Sequence, residues 1–339
     1  MVGTQKRRST DSWLQANLFE DETQSTTSSP APVNGNKRAR AFTWPMAPDD
    51  ENRLVAKLEE SGRYRIQRQL VPRPIVENYA VIPGRSVGII LDTETTGLDH
   101  REDEIIELGM VAFTYDGEGI HDVIGVFSEL REPSQPISAE ITRITGITQG
   151  MVAGRSIDPD AVTDFIAGAD LIIAHNAKFD RPFCERFHLD FQHKAWACSV
   201  AEVDWGALGF EGSKLVYLIG QCGFFHNGHR AVDDCHALLE VLVSVPPYDV
   251  AGAFQQLYAS SQKDCLHIFA HGSPFEAKDM LKARGYRWND GADGRPKSWW
   301  VEIDEAAYKE ELSFLQREIY LSDADPIVRR LTAYDRYRA

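Results

Sequence analysis

Nowhere in this 339-residue sequence do about 18 apolar residues run together, so no segment is expected to span a bilayer. The basic start (Lys6, Arg7, Arg8) has no apolar stretch behind it, so a secretory signal is not expected. No C-x-x-C pair occurs and the five cysteines are an odd number, which argues against both a disulfide framework and a zinc site. Cys184, Cys198, Cys222 and Cys235 stand among apolar residues and are read as small core residues in a reducing cytoplasm. Positive charge is also scarce. Thirty-six Lys and Arg against 51 Asp and Glu leave a net charge of −15, and a uniform negative field repels phosphate. A nucleic-acid partner therefore requires divalent cations to neutralise some carboxylates, or basic residues clustered locally. What is present is ordinary for a globular chain, and the length suffices for one sizeable core plus extra modules.

Residues 1–48 are rich in Ser, Thr, Pro, Asn and Asp, lack periodic apolar positions, and are expected to form a disordered tail. Residues 49–85 read as a connector. Leu54, Val55 and Leu58 have helical spacing within 50–60, Ser61 and Gly62 form a stop, and 64–71 alternates as a strand does. From 86 to 250 strands and helices alternate. Strands are expected at 87–91, 105–113, 121–127 and 171–174, with helices at 137–148, 160–166, 177–187, 214–222 and 231–245. This pattern predicts an α/β fold with a mixed sheet flanked by helices. Residues 263–320 read as a separate β-α-β-α unit, with strands at 267–270 and 298–303 and helices at 274–284 and 304–320. Residues 321–339 are left as a C-terminal tail.

The residues that carry chemistry are acidic. Asp92 and Glu94 lie two apart at the end of an apolar strand, so both project from one face, where they repel each other unless a cation intervenes. Asp180 shares helical spacing with Phe183, Cys184 and Phe187, which puts a carboxylate on a buried stripe, with Asn176 the better candidate for the helix cap. His229 and Asp234 form H-x-x-x-x-D across a loop-to-helix transition. Helical phase separates Asp234, which shares a face with Leu238, Val241 and Leu242, from Asp233, which shares one with His236 and Glu240. Asp234 is therefore expected to point inward.

In order, the segments are Leu91-Asp92-Thr93-Glu94-Thr95-Thr96-Gly97-Leu98, Ala174-His175-Asn176-Ala177-Lys178-Phe179-Asp180 and His229-Arg230-Ala231-Val232-Asp233-Asp234. Together they resemble the DEDD superfamily of 3′→5′ exonucleases, in its His-bearing DEDDh subclass, and within it the proofreading epsilon subunits of bacterial DNA polymerase III. Ile144-Thr145-Gly146-Ile147-Thr148 and Ser213-Lys214-Leu215 resemble the connecting segments of that family. The resemblance spans residues 86–246 and implies a ribonuclease H-like five-stranded mixed sheet. It also implies two Mg²⁺ or Mn²⁺ ions held by Asp92, Glu94, Asp180 and Asp234, with Asp92 bridging both and His229 as general base. Thr95, Thr96, Gly97 and Leu98 are then expected to hold the terminal nucleotide through backbone amides, with Leu98 against a base and Asn176 and Phe179 lining the cleft.

Gln15-Ala16-Asn17-Leu18-Phe19 resembles the Q-x-x-L-F pentapeptide by which bacterial replication and repair proteins dock on the sliding clamp, with Gln15, Leu18 and Phe19 as contacts. In the C-terminal unit Lys278, Lys282, Arg284, Arg287, Arg295 and Lys297 interleave with Tyr286, Trp288, Trp299 and Trp300, which suits single-strand binding as well as a small core. Arg63, Arg65, Arg68 and Arg73 form a further basic stretch that suits either a nucleic-acid backbone or a solvated strand face. The expected function is DNA 3′→5′ exonucleolysis in proofreading or repair, in a bacterial cytoplasm and at the nucleoid, alongside DNA and a DNA polymerase. An exoribonuclease, like the ribonuclease T and oligoribonuclease relatives, is the alternative on the same chemistry. A non-catalytic DNA- or clamp-binding module is the alternative of another class. It would be favoured by loss of a catalytic carboxylate, and none is lost.

Overall fold

Three long antiparallel strands form the frame. The computed structural model describes residues 48–77, 82–244, 250–292 and 294–338, so the 15–19 pentapeptide and the rest of the expected tail lie outside the described residues. The chain divides after Glu60. Before that point lies helix α1 (Pro48–Glu60), whose first turn holds Asp49, Asp50 and Glu51, the charge that a helix N-terminus favours. Everything from 61 to 339 belongs to one second unit.

In that unit β1 is only Arg68–Gln69, shorter than the strand expected over 64–71. Strands β2 (Ser86–Thr95), β3 (Ile105–Tyr115) and β4 (Ile120–Leu130) then form an antiparallel meander. The helix expected at 137–148 is two pieces, α2 (Ala139–Thr145) and α3 (Gln149–Val152). Gly146 at φ 70° closes α2 in the left-handed conformation and returns its N–H to the Thr142 carbonyl. Helix α4 (Pro159–Ala167) leads to β5 (Leu171–Ala174), α5 (Ala177–Phe187), β6 (Trp196–Cys198) and α6 (Ser199–Glu202). Helix α7 (Leu215–Gln221) and β7 (Phe224–Phe225) precede α8 (Ala231–Val243) and α9 (Ala253–Ser261). β7 pairs in parallel with β1.

The main sheet has the order β4-β3-β2-β5-β6, with β5 and β6 parallel to β2, and is the expected five-stranded mixed sheet. Alternation along β2 sends Ile90 into the core under α8 and α9, and Ile89 and Leu91 into the opposite core under α5. The basic connector is partly committed inside the fold. Arg65 donates to the Gln221 carbonyl, and the Arg73 guanidinium forks onto Glu240.

The C-terminal module contains β8 (Cys265–Ala270), α10 (Lys278–Ala283), β9 (Arg287–Asn289), β10 (Ser298–Asp304), α11 (Tyr308–Phe314) and β11 (Ile327–Leu331). Its antiparallel sheet runs β11-β8-β10-β9. Residues 321–339, expected as a C-terminal tail, are partly built into the fold, because β11 completes the module's sheet and residues after it dock on the nuclease half. Trp196 N–H donates to the Ala333 carbonyl at 2.8 Å. The fully buried Arg181 guanidinium donates to the carbonyls of Tyr334 and Arg336, both at 2.6 Å. Among the described residues no helix is long and apolar enough to cross a membrane.

Candidate active site

The register of two strands and one absent side chain bring the carboxylates together. Asp92 lies opposite Gly109 on β3, and Glu94 lies opposite Glu107. A Cβ on Gly109 would stand 2.5 Å from the backbone of Ala231 and Val232, so only glycine lets the start of α8 rest directly on β3. Glu107, 1% exposed, then fixes that helix end. It accepts from Arg230 Nη2 at 2.8 Å and from Ala231 N–H at 3.1 Å, an anion placed at a helix N-terminus. Asp234 sits in this first turn and faces the strand end, as its phase predicts. Ligand oxygens of Asp92, Glu94 and Asp234 all lie within 4.8 Å of one another.

Asp180 arrives from the opposite layer. It is 2% exposed and accepts a 2.9 Å hydrogen bond from Thr93 Oγ1, the residue between the two β2 carboxylates on the other face. It is not within the three-carboxylate group but acts on it electrostatically. Burial, with repulsion from Asp180, Asp234, Glu94 and Glu107, holds Asp92 well above the ordinary carboxylate range. Burial and the charges of Asp234 and Glu107 push Glu94 up to about 8, and burial raises Asp180 to about 7. Among the described residues, repulsion and burial in this group outweigh the positive charge near it. The cation that approaches it, Arg230, is already paired with Glu107. Crowded hard oxygen donors of this kind fit Mg²⁺ or Mn²⁺.

The histidines hold surprises. His229 is exposed on the loop before α8 at φ 64°, and its backbone N–H donates to Asp234 Oδ2 at 2.9 Å. His226 puts Nε2 2.6 Å from Asp234 Oδ1, with a side chain only 5% exposed. His175 bridges Ser199 Oγ and the Ser213 carbonyl. Its burial lowers it to about 4, so it is a neutral strut between the second motif and the Ser213-Lys214-Leu215 segment. His236, placed on the Asp233 face by phase, is 7% exposed and therefore buried, because α8 is covered on more than one side.

Asn176 does occupy the α5 N-cap position, but at φ 102° and with no side-chain capping bond, contrary to the expected capping role. Asn176 and His229 are left-handed non-glycine residues, each inside one of the motifs, a conformation that surrounding structure must enforce. The 95–98 turn is tightly tied. Thr95 Oγ1 donates to the Gly97 carbonyl at 2.6 Å, and Thr96 N–H donates to the Glu104 carbonyl at 2.9 Å. The Asp103 carboxylate fills the space a Cβ on Gly97 would need. Leu98 is 54% exposed, and Phe179 packs on Phe183 with the two rings tilted and their centres 4.9 Å apart.

Sequence reasoning missed Glu107, Gly109, Arg230 and His226. Glu107 had a readable signal, a lone charge inside the apolar run Ile105-Ile106-Glu107-Leu108. The others act through register and loop geometry, which have no local pattern.

A family model for exonucleases (RNase_T) matches residues 89–242. The chain is 35% identical over 166 residues to a DNA polymerase III subunit epsilon of Treponema pallidum, covering 45% of this chain and 74% of that protein. It is 32% identical over 172 residues to a DNA polymerase III PolC-type of Thermotoga petrophila, covering 46% of this chain but spanning only 11% of that protein's length. A solved structure described as exonuclease X in complex with 5′ overhanging duplex DNA is similar at 26% identity and a TM-score of 0.39, over 50% of this chain and 98% of that one. From the extent of the epsilon-subunit match and the residues that the exonuclease model covers, the chain belongs to the RNase_T exonuclease family.

Proposed function

We propose that the chain is a metal-dependent exonuclease that removes nucleotides one at a time from the 3′ end of DNA, in proofreading or repair. The observation that carries this reading is the convergence of Asp92, Glu94 and Asp234 within 4.8 Å, with Asp180 close behind. Two bound Mg²⁺ or Mn²⁺ ions would supply an activated water, neutralise charge developing on the phosphate and stabilise the leaving oxygen. Asp92 would serve both ions, Glu94 and Asp234 would help to hold one, and Asp180 would support the other. His229 takes the proton of the attacking water, on a loop whose N–H is already tied to Asp234. His226, on the other oxygen of Asp234, sets that carboxylate's orientation. Because the Thr96 amide is spent on Glu104, contact to a 3′-OH falls to the amides of Gly97 and Leu98, with the Leu98 side chain against the terminal base.

DNA is favoured over RNA because the two curated relatives named above carry DNA polymerase III names. Gln15, Leu18 and Phe19 would tether the enzyme to a sliding clamp, beside a polymerase at the bacterial nucleoid. The experiment is incubation of the purified protein with 5′- and 3′-labelled DNA and RNA, with Mn²⁺ and with EDTA. Mononucleotide release from the 3′ end of DNA, abolished by EDTA, is expected. Release confined to RNA would shift the substrate, and no release from either would overturn the enzyme reading.

A further inference from the structure

The C-terminal module carries aromatic and basic residues that its core does not consume. Its core is Leu266, Ile268, Ala270, Leu281, Tyr286, Leu315 and Ile319, against which Trp299 packs. Trp288 lies directly opposite Trp299 across β9 and β10, on the edge strand, and is 52% exposed. The two indoles meet edge to face at 5.6 Å. One position along, Trp300 lies opposite Arg287 on the other face of the sheet. The guanidinium groups of Arg295 and Arg287 stand 4.8 and 5.7 Å from its ring centre, and the Lys282 ammonium lies 5.8 Å from that of Trp299.

The charge here runs against that of the chain. Six of the nine charged residues between 278 and 297 are basic, in a protein of net charge −15. Of these, Arg284 is neutralised by Glu310 and Glu311. An acidic peptide would use the cations but not the indole faces, and a duplex keeps its bases stacked away from both. A strand with unstacked bases uses both at once, with π faces for the indoles and phosphates for the cations. We propose that the β9–β10 edge binds single-stranded nucleic acid, with Trp288 as stacking platform, Lys282 as a phosphate contact on the same face, and Arg287 as a phosphate contact where the strand crosses the edge to the other face. The segment after β11 is held by Arg181, the neighbour of Asp180, so this edge belongs to the same folded unit as the carboxylates.

The test is a fluorescence-anisotropy titration of the full chain with labelled oligothymidylate, oligouridylate and a DNA duplex, in EDTA so that nothing is cut. Trp288→Ala removes an exposed ring and should weaken binding of both single strands about tenfold, the usual worth of one stacked base, with duplex binding unchanged. Lys282→Gln combined with Arg287→Gln should lower the salt dependence on single strands by about 1.4 units of slope. In Mn²⁺, Trp288→Ala should hydrolyse a p-nitrophenyl ester of thymidine 5′-phosphate at the parent rate, which shows an intact nuclease half. Single-strand affinity unchanged in Trp288→Ala would overturn the proposal, as would an equal loss of duplex binding. Because binding is read without turnover, either result stands apart from the reaction that the carboxylates perform.

Discussion

Glu94→Gln should stabilise the metal-free protein while abolishing its activity. Glu94 is buried and held at about 8 by desolvation and by the charges of Asp234 and Glu107. A carboxyl raised in the folded state needs a proton that the unfolded chain has already released. The penalty is therefore absent below the ordinary value of 4.5, grows as pH rises from there, and levels off above about 8. At pH 7 it amounts to about 3 kcal/mol as a ceiling, which shared protons in the cluster reduce. Glutamine keeps the shape without the charge, so Tm in EDTA should rise by up to roughly 5–10 °C at pH 7. At pH 4.5 the gain should vanish. With Mn²⁺ the order should reverse, because the parent alone gains the full binding energy of the ions. Circular-dichroism melts of both proteins at pH 4.5, 7 and 8.5 provide the measurement. A variant no more stable than the parent at pH 7, or equally stabilised at pH 4.5 and 7, would refute the reasoning.

Gly109→Ala should push α8 off β3 and displace Asp234, costing about 1–3 kcal/mol in a urea melt and roughly a hundredfold in turnover. Full activity would show that the contact at Ala231 and Val232 is not what positions the third motif. His229→Ala should lower turnover roughly 10²- to 10⁴-fold with Mn²⁺ binding intact. If His226→Ala does that and His229→Ala does not, the two histidines exchange roles. A peptide covering residues 11–24 should bind a purified bacterial sliding clamp saturably, with the signal lost when Leu18 and Phe19 are both Ala, because apolar anchors concentrate such energy. A flat titration would remove the clamp from the account.

The fold was legible where a period repeats. Strands β2 to β4 and helices α5 and α8 each carry long apolar patterns, and their positions emerged within a few residues. Strand β6 is three residues and β9 another three, too short for any period to show, and β11 lies in a stretch with two arginines in the middle of five residues. The carboxylates were legible because their spacing on strand or helix fixes their face. The arrangement that brings them together was not. It depends on Gly109 opposite Asp92 and Glu107 opposite Glu94, a pairing register that no local spacing encodes. Asn176 and His229 take left-handed backbones, which Asn and His adopt more readily than most residues but still uncommonly, so their types alone did not mark these positions.

The central claim is that the three converging carboxylates form the hydrolytic centre, and Asp92 is common to everything proposed there. The most direct measurement is the rate of 3′-nucleotide release from 5′-labelled single-stranded DNA in saturating Mn²⁺, for the parent and for Asp92→Ala, with far-UV circular dichroism of both. The account predicts a ladder shortening from the 3′ end for the parent and no detectable shortening for a variant that is equally well folded. A folded Asp92→Ala protein that degrades DNA at the parent rate would contradict it.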